Sequence, residues 1–202
     1  MEGTMKRLAL HDRKAWVEQA PIPSAHGANV VVRLESTPIC GSDKKHFLNP
    51  DKTIRYAGHE GTGVVVEVDK SNLVKVGDRV LTNCLSGCGV CEHCRSGNYV
   101  YCENKLPMDQ MASHFCQYTI LQDFLCIPLP EDISYDMGTL AGCVLAPAFQ
   151  TLQKMQVIPS DLVMVLGCGP VGLGAITHGG SLPCAGRTGC RRSSRRASRR
   201  PP

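Results

Sequence analysis

The chain has 202 residues, 43% of them apolar and 20% charged, which places it among globular proteins with room for one large or two small cored domains. No run of about 18 apolar residues exists to span a bilayer, and the first dozen residues lack a signal peptide's apolar stretch, so no membrane partner and a cytoplasmic location are expected. The net charge of +4 is unevenly spread: residues 179–202 hold seven arginines and no acid, and the remainder carries 15 basic against 18 acidic residues. Without export, twelve cysteines in C-x-x-C spacings read as metal ligands rather than disulfides.

Short strand-like runs fill residues 5–36: Lys6–Leu10, Trp16–Glu18, a break at Pro21-Ile22-Pro23, and the β-branched run Asn29–Leu34. Proline lacks the N–H and restricts its predecessor, which excludes a helix at that break. Residues 40–60 then place a thiol at Cys40 and an imidazole at His59, borderline-soft ligands suited to Zn²⁺, with the carboxylates of Asp43 and Glu60 close in sequence. Asp43 is suited to hold the second ring N–H of His59, the bond that fixes the tautomer of a ligating histidine. Ser42 and His46 supply a hydroxyl and an imidazole, the parts of a proton relay.

Gly63–Val68 is a further strand, and Val74–Leu81 turns at Gly77-Asp78 into another. Cys88, Cys91, Cys94 and Cys102 follow as C-x₂-C-x₂-C-x₇-C. Four thiolates within so short a glycine-rich loop close a tetrahedron around zinc at about 2.3 Å per bond, with no position left for substrate, so this site is structural. Cys84 falls outside the pattern as a strand-end residue, and Cys116 and Cys126 read as small buried hydrophobes.

Residues 114–130 return to strands, Asp132–Tyr135 starts a helix, and Met137–Thr151 is helix-compatible but interrupted by Pro147. Asp161–Leu166 is a compact apolar strand running into Gly-Cys-Gly-Pro-Val-Gly at 167–172. A G-x-G-x-x-G that follows a strand and opens a helix meets the context of a dinucleotide site, with Gly167, Gly169, Pro170, Val171 and Gly172 lining the pyrophosphate.

In this order, Cys-Gly-Ser-Asp at 40–43, His46, Gly-His-Glu at 58–60, Gly-Asp-Arg-Val at 77–80, the four-cysteine lobe and the glycine motif resemble the zinc-dependent medium-chain alcohol dehydrogenases, including their polyol and threonine branches. The resemblance runs from about Met5 to His178. It implies a mainly β GroES-like catalytic domain over residues 1–150 and the beginning of an α/β Rossmann domain over 151–178; residues 179–202, beyond the resemblance, read as a disordered basic tail. It also implies one catalytic and one structural Zn²⁺, NAD or NADP, a small-molecule alcohol substrate, and a proton route from Ser42 to His46. The family's third catalytic ligand stands in an L-x-G-C context, which selects Cys143 beside Cys40 and His59. Some branches use the glutamate instead, here Glu60.

After His178 the sequence turns to Arg, Ser, Pro and Gly, with no Asp or Glu beyond Asp161 to hold ribose hydroxyls. Such a segment buries too little apolar surface to offset its ordering entropy, and disorder is expected. A frame change or alternative coding end is the favoured expectation, because the switch falls inside a structural unit. The chain would then bind zinc with little or no dehydrogenase activity, and would lack the later sheet through which relatives dimerise. The alternative is a non-catalytic zinc module whose arginines bind nucleic acid or another acidic partner.

Overall fold

The computed structural model describes residues 2–83, 85–105, 113–158, 161–181 and 189–191. Cys84 lies outside them, as do 182–188 and 192–202 of the arginine-rich segment. The chain divides into two compact units, Met1–Gly142 and Cys143–Pro202.

The first unit opens with a hairpin of β1 (Thr4–His11) and β2 (Lys14–Pro21), in register from Thr4↔Pro21 to His11↔Lys14. Its two-residue turn puts Asp12 and Arg13 at φ +38° and +63°, the left-handed pair whose twist matches that of the flanking strands. Leu10 exchanges backbone hydrogen bonds with Ile54 at 2.9 and 2.8 Å, and Leu8 N donates to Phe115 O at 2.8 Å. Leu10, Ile54 and Ala57 thereby form a small core with Leu8, Tyr56 and Phe115 packed on it.

The main sheet is antiparallel, with strand order β6-β3-β4-β5-β7. Its members are β3 (Asn29–Ser36), β4 (Gly61–Val68), β5 (Arg79–Thr82), β6 (Tyr118–Gln122) and β7 (Cys126–Pro128). Val30, Val31 and Val32 are all fully buried, so β3 is covered on both faces. Val30 and Val32 form the principal core with Val65, Val80, Leu121 and Leu125, each side chain contributing about 1.5–3 kcal/mol on leaving water. Pro128 is accommodated because β7 is an edge strand, where a missing N–H costs the ladder nothing. The run expected as one strand from His114 begins pairing regularly only at Tyr118. Phe124-Leu125 belongs to a 3₁₀ turn, Asp123–Leu125, between β6 and β7.

Short helices occupy the connections: α1 (Lys44–Phe47), α2 (Glu92–Arg95) and α3 (Tyr135–Leu140). Ser134 caps α3, its Oγ accepting from Met137 N at 3.2 Å. A π-helical turn, Ala141–Leu145, follows, and then α4 (Ala146–Lys154). Pro147 sits in the first turn of α4, where its absent N–H would have had no intrahelical partner. The expected interruption therefore lies just before the proline, in the widened turn.

In the second unit β8 (Met164–Leu166) leads into α5 (Pro170–Ser181), and Phe149 of α4 meets His178 of α5 with ring centroids 5.3 Å apart. Within the segment expected to lack structure, Gly189–Arg191 forms β9, parallel to β8. A strand at a sheet edge presents backbone groups that an extended neighbour can pair with, and parallel pairing across a helix is the βαβ arrangement. Among the described residues no helix is long and apolar enough to cross a membrane.

Candidate metal centres

Cys40 stands at the mouth of a 3₁₀ turn, Gly41–Asp43, that continues into α1. Asp43 closes this turn on itself: its N–H donates to Cys40 O at 3.0 Å, and its Oδ2 accepts from Cys40 N at 2.9 Å. The other carboxylate oxygen, Oδ1, lies 3.3 Å from His59 Nδ1. That distance suits an ion pair, yet Oδ1 makes no hydrogen bond and is buried. An acceptor held at this ring nitrogen is what an imidazole engaged through Nε2 uses to fix its tautomer.

On the other side of the ring, His59 Nε2 lies 3.4 Å from Glu60 Oε1. The ligand atoms of Cys40, His59 and Glu60 all stand within 4.8 Å of one another. Glu60 is 5% exposed and Asp43 4%. Two carboxylates taken out of water around one imidazole and one thiol are costly unless a cation gathers them. Sulfur, nitrogen and oxygen donors at this spacing fit zinc. Gly58 makes the close approach possible: its φ is +80°, and a Cβ there would stand 2.7 Å from the Phe115 ring.

Ser42 is exposed, and His46 is half-buried on α1. The His46 ring meets Tyr56 edge-on at 6.3 Å, and its Nδ1 is buried without a hydrogen bond. Burial, and then the Lys45 charge, hold its pKa below the ordinary histidine value, so it is neutral at pH 7.

The sulfurs of Cys88, Cys91, Cys94 and Cys102 form the second group, also within 4.8 Å of one another. Cys88 Sγ and Cys94 Sγ are 3.9 Å apart, against about 3.8 Å for the edge of a zinc tetrahedron with 2.3 Å bonds. Backbone N–H groups turn inward onto the sulfurs: Cys91 N to Cys88 Sγ at 3.3 Å, Cys94 N to Cys91 Sγ at 3.4 Å, and Cys88 N to Cys102 Sγ at 3.3 Å. The amides of Val90 and Cys91 lower the Cys88 pKa to about 6, whereas burial pushes Cys94 up to about 12. Gln122 roots the lobe in the sheet, its amide donating to Gly87 O at 2.7 Å and accepting from Gly87 N at 3.2 Å. Tyr99 adds a ring contact to Phe124 at 5.3 Å.

Cys143 lies in the π-helical turn at the start of the second unit. Further along that unit, Gly167 has φ +102°, and a Cβ on Gly172 would overlap the Gly167 carbonyl. The turn from β8 into α5 therefore closes more tightly than side chains permit, and it leaves Gly167 to Gly169 exposed ahead of the first turn of α5. Sequence reasoning passed over Thr37, Thr82 and His114, whose contacts with the His59 loop span 21 to 57 residues and leave no local pattern.

The family described as the alcohol dehydrogenase GroES-like domain matches residues 26–131. The uncharacterized zinc-type alcohol dehydrogenase-like protein YphC of Escherichia coli (strain K12) is 31% identical over 175 residues, covering 79% of this chain and 50% of that protein. Sorbitol dehydrogenase of Bombyx mori is 30% identical over 167 residues, covering 78% of this chain and 47% of that protein. Among solved structures, alcohol dehydrogenase TADH from Thermus sp. ATN1 superposes with a TM-score of 0.83 at 27% identity, covering 92% of this chain and 57% of that one. The chain spans about half the length of the curated relatives it matches. The order of the motifs, the two donor clusters and these matches agree that this chain belongs to the zinc-type alcohol dehydrogenases with a GroES-like domain.

Proposed function

We propose that this chain supplies the zinc and proton-handling half of an NAD(P)-dependent alcohol dehydrogenase that converts an alcohol to an aldehyde or ketone. The observation that carries the reading is the convergence of Cys40, His59 and Glu60 ligand atoms within 4.8 Å. Cys143 joins Cys40 and His59 in the ligand set on its Leu-Ala-Gly-Cys context, with Glu60 as the exchangeable carboxylate. Zinc bound there would act as a Lewis acid on the substrate hydroxyl, and NAD⁺ or NADP⁺ would accept the hydride.

The protein's own part is positioning and proton transfer. Asp43 orients His59 through Nδ1 and ties down the Cys40 backbone through its second oxygen. Ser42 takes the alcohol proton, and His46, neutral at pH 7, passes it to solvent. The four-cysteine lobe holds a second, structural zinc. The loop from Gly167 to Gly172 receives the pyrophosphate, with Gly169, Pro170 and Val171 presenting backbone to it. Domain assignment follows the same division of labour: zinc-binding catalytic domain over 1–150, start of the dinucleotide domain over 151–178, and a basic segment over 179–202.

The similarity to a sorbitol dehydrogenase supports a polyol or related small alcohol as substrate. No Asp or Glu follows Asp161, so these 202 residues by themselves are expected to hold zinc but to turn over alcohol weakly or not at all. Metal analysis of the purified chain tests the reading. Two zinc per chain, one of them lost in Cys40→Ser and the other in Cys102→Ser, is the expected result. A metal content unchanged by Cys40→Ser would remove the catalytic centre from the proposal. Turnover of primary alcohols, polyols or threonine above a metal-stripped control would show that these residues suffice for catalysis.

A further inference from the structure

The loop Ala57–Gly61 carries both His59 and Glu60, and the carbonyls on either side of His59 are held by hydrogen bonds. Ala57 O accepts from Phe115 N at 3.1 Å, from Ser113 Oγ at 3.2 Å and from His114 N at 3.2 Å, and His114 N also reaches Gly58 O at 3.3 Å. Glu60 O accepts from Thr37 Oγ1 at 2.6 Å. Gly61 O accepts from Thr82 Oγ1 at 2.9 Å, and the same hydroxyl lies 2.7 Å from His114 Nε2. A threonine hydroxyl has one proton. With that proton donated to Gly61 O, the contact to His114 must be Nε2–H donating to Thr82 Oγ1, which fixes the imidazole tautomer.

His114 is fully buried and Thr82 is 2% exposed, so neither group exchanges its partner for water. The imidazole also packs on the loop itself: a Cβ at Gly61 would stand 2.8 Å from His114 Cδ2. The β4–β5 ladder pairs Gly61 with Thr82, so this hydrogen-bond chain enters the loop where the ladder ends and the two ligand side chains begin.

We infer that His114 and Thr82 are a positioning pair for the metal centre, setting the Gly61–Thr62 peptide at the end of the loop and with it the direction in which His59 and Glu60 present their ligand atoms. Neither touches the metal or the substrate. The pair acts through Gly61, and the inference rests on the metal centre proposed above. Outer partners that orient ligands typically alter metal affinity tenfold to a hundredfold.

The test uses the full zinc-loaded chain, titrated with a competing chelator, with the four-cysteine zinc as internal reference and far-UV circular dichroism as the check on folding. Thr82→Val removes the hydroxyl at constant shape, and His114→Leu removes the donor. Thr82→Ser retains the hydroxyl, and His114→Gln places an amide nitrogen near the position of Nε2. The expected result is about tenfold weaker retention of the Cys40-dependent zinc in Thr82→Val and His114→Leu, wild-type retention in Thr82→Ser and His114→Gln, and an unchanged four-cysteine zinc in all four. Equal retention in Thr82→Val and His114→Leu overturns the inference alone. Loss of both zincs together with the circular dichroism signal also overturns it, since the role would then be general to the fold. A wild-type chain whose zinc content ignores Cys40→Ser overturns the metal centre itself, and the inference with it.

Discussion

His59 and Asp43 face one another across 3.3 Å, ring nitrogen Nδ1 to carboxylate Oδ1, while the other oxygen of Asp43 accepts from Cys40 N at 2.9 Å. One buried carboxylate thus stands against two proposed ligands that lie 19 positions apart. Asp43→Asn keeps an oxygen for Cys40 N but sets an amide of fixed polarity beside the imidazole, and Asp43→Ala removes both contacts. Zinc affinity at the Cys40 centre is expected to fall about tenfold in Asp43→Asn and further in Asp43→Ala, by chelator competition. An Asp43→Ala chain that retains zinc like the wild type would deny Asp43 this role.

The metal-stripped cysteine lobe should titrate unevenly. Cys88 has its pKa lowered from 9.0 to about 6 by inward-facing amides, and Cys94 has its pKa raised to about 12 by burial. At pH 7 Cys88 is therefore a thiolate, and the thiolate is the nucleophile. Brief alkylation of the stripped chain at pH 7, read by peptide mass, should label Cys88 first. Cys94 should label last, together with Cys126, whose pKa burial raises to about 12. The sign for stability follows: the depressed Cys88 pKa favours the folded lobe above its unfolded value, and that contribution is lost as pH falls towards about 6. Preferential labelling of Cys94 would contradict this ordering.

Some of this architecture is local and was legible. The cysteine spacing closes within fifteen residues, so the gathering of the four sulfurs follows from the sequence itself. Asn29–Leu34 and Gly63–Val68 are β-branched runs whose observed strands extend them by only two residues. The first hairpin was legible only in fragments, because its turn uses Asp12 and Arg13 in left-handed conformations without a glycine to announce it. Its ends were hidden too, since Pro21 stays in β2 through pairing with Thr4, seventeen residues away. The same limit applied at the site. Asp43 lies three residues from Cys40 and could be reasoned about, whereas Thr82 and His114 reach Gly61 only through the β4–β5 ladder and a buried imidazole.

His46 ties pH to stability as well as to the proposed proton route. Burial and the Lys45 charge lower its pKa from 6.5, so between the depressed value and 6.5 the unfolded chain binds a proton that the folded chain does not. Stability attributable to His46 is therefore fully present above pH 6.5 and declines as pH falls through that window. His46→Gln cannot titrate, and its urea midpoint should fall less than that of the wild type between pH 7 and pH 5. Parallel midpoints in the two chains would show that His46 does not titrate differently on folding.

The glycines of the β8–α5 turn separate shape from binding. A Cβ on Gly172 would overlap the Gly167 carbonyl, so Gly172→Ala must open the turn, and overpacking of this kind costs about 1–3 kcal/mol. A Cβ on Gly169 meets nothing within 4 Å, and Gly169→Ala should fold with the wild-type melting temperature. If a pyrophosphate settles against this backbone, the methyl of Gly169→Ala occupies the space it needs. NADH titration followed by fluorescence should then show weakened binding in both variants, accompanied by a lowered melting temperature in Gly172→Ala alone. A wild-type chain that binds NADH no better than Gly169→Ala would sink the assignment of this loop, because the added methyl has no other neighbour among the described residues to disturb.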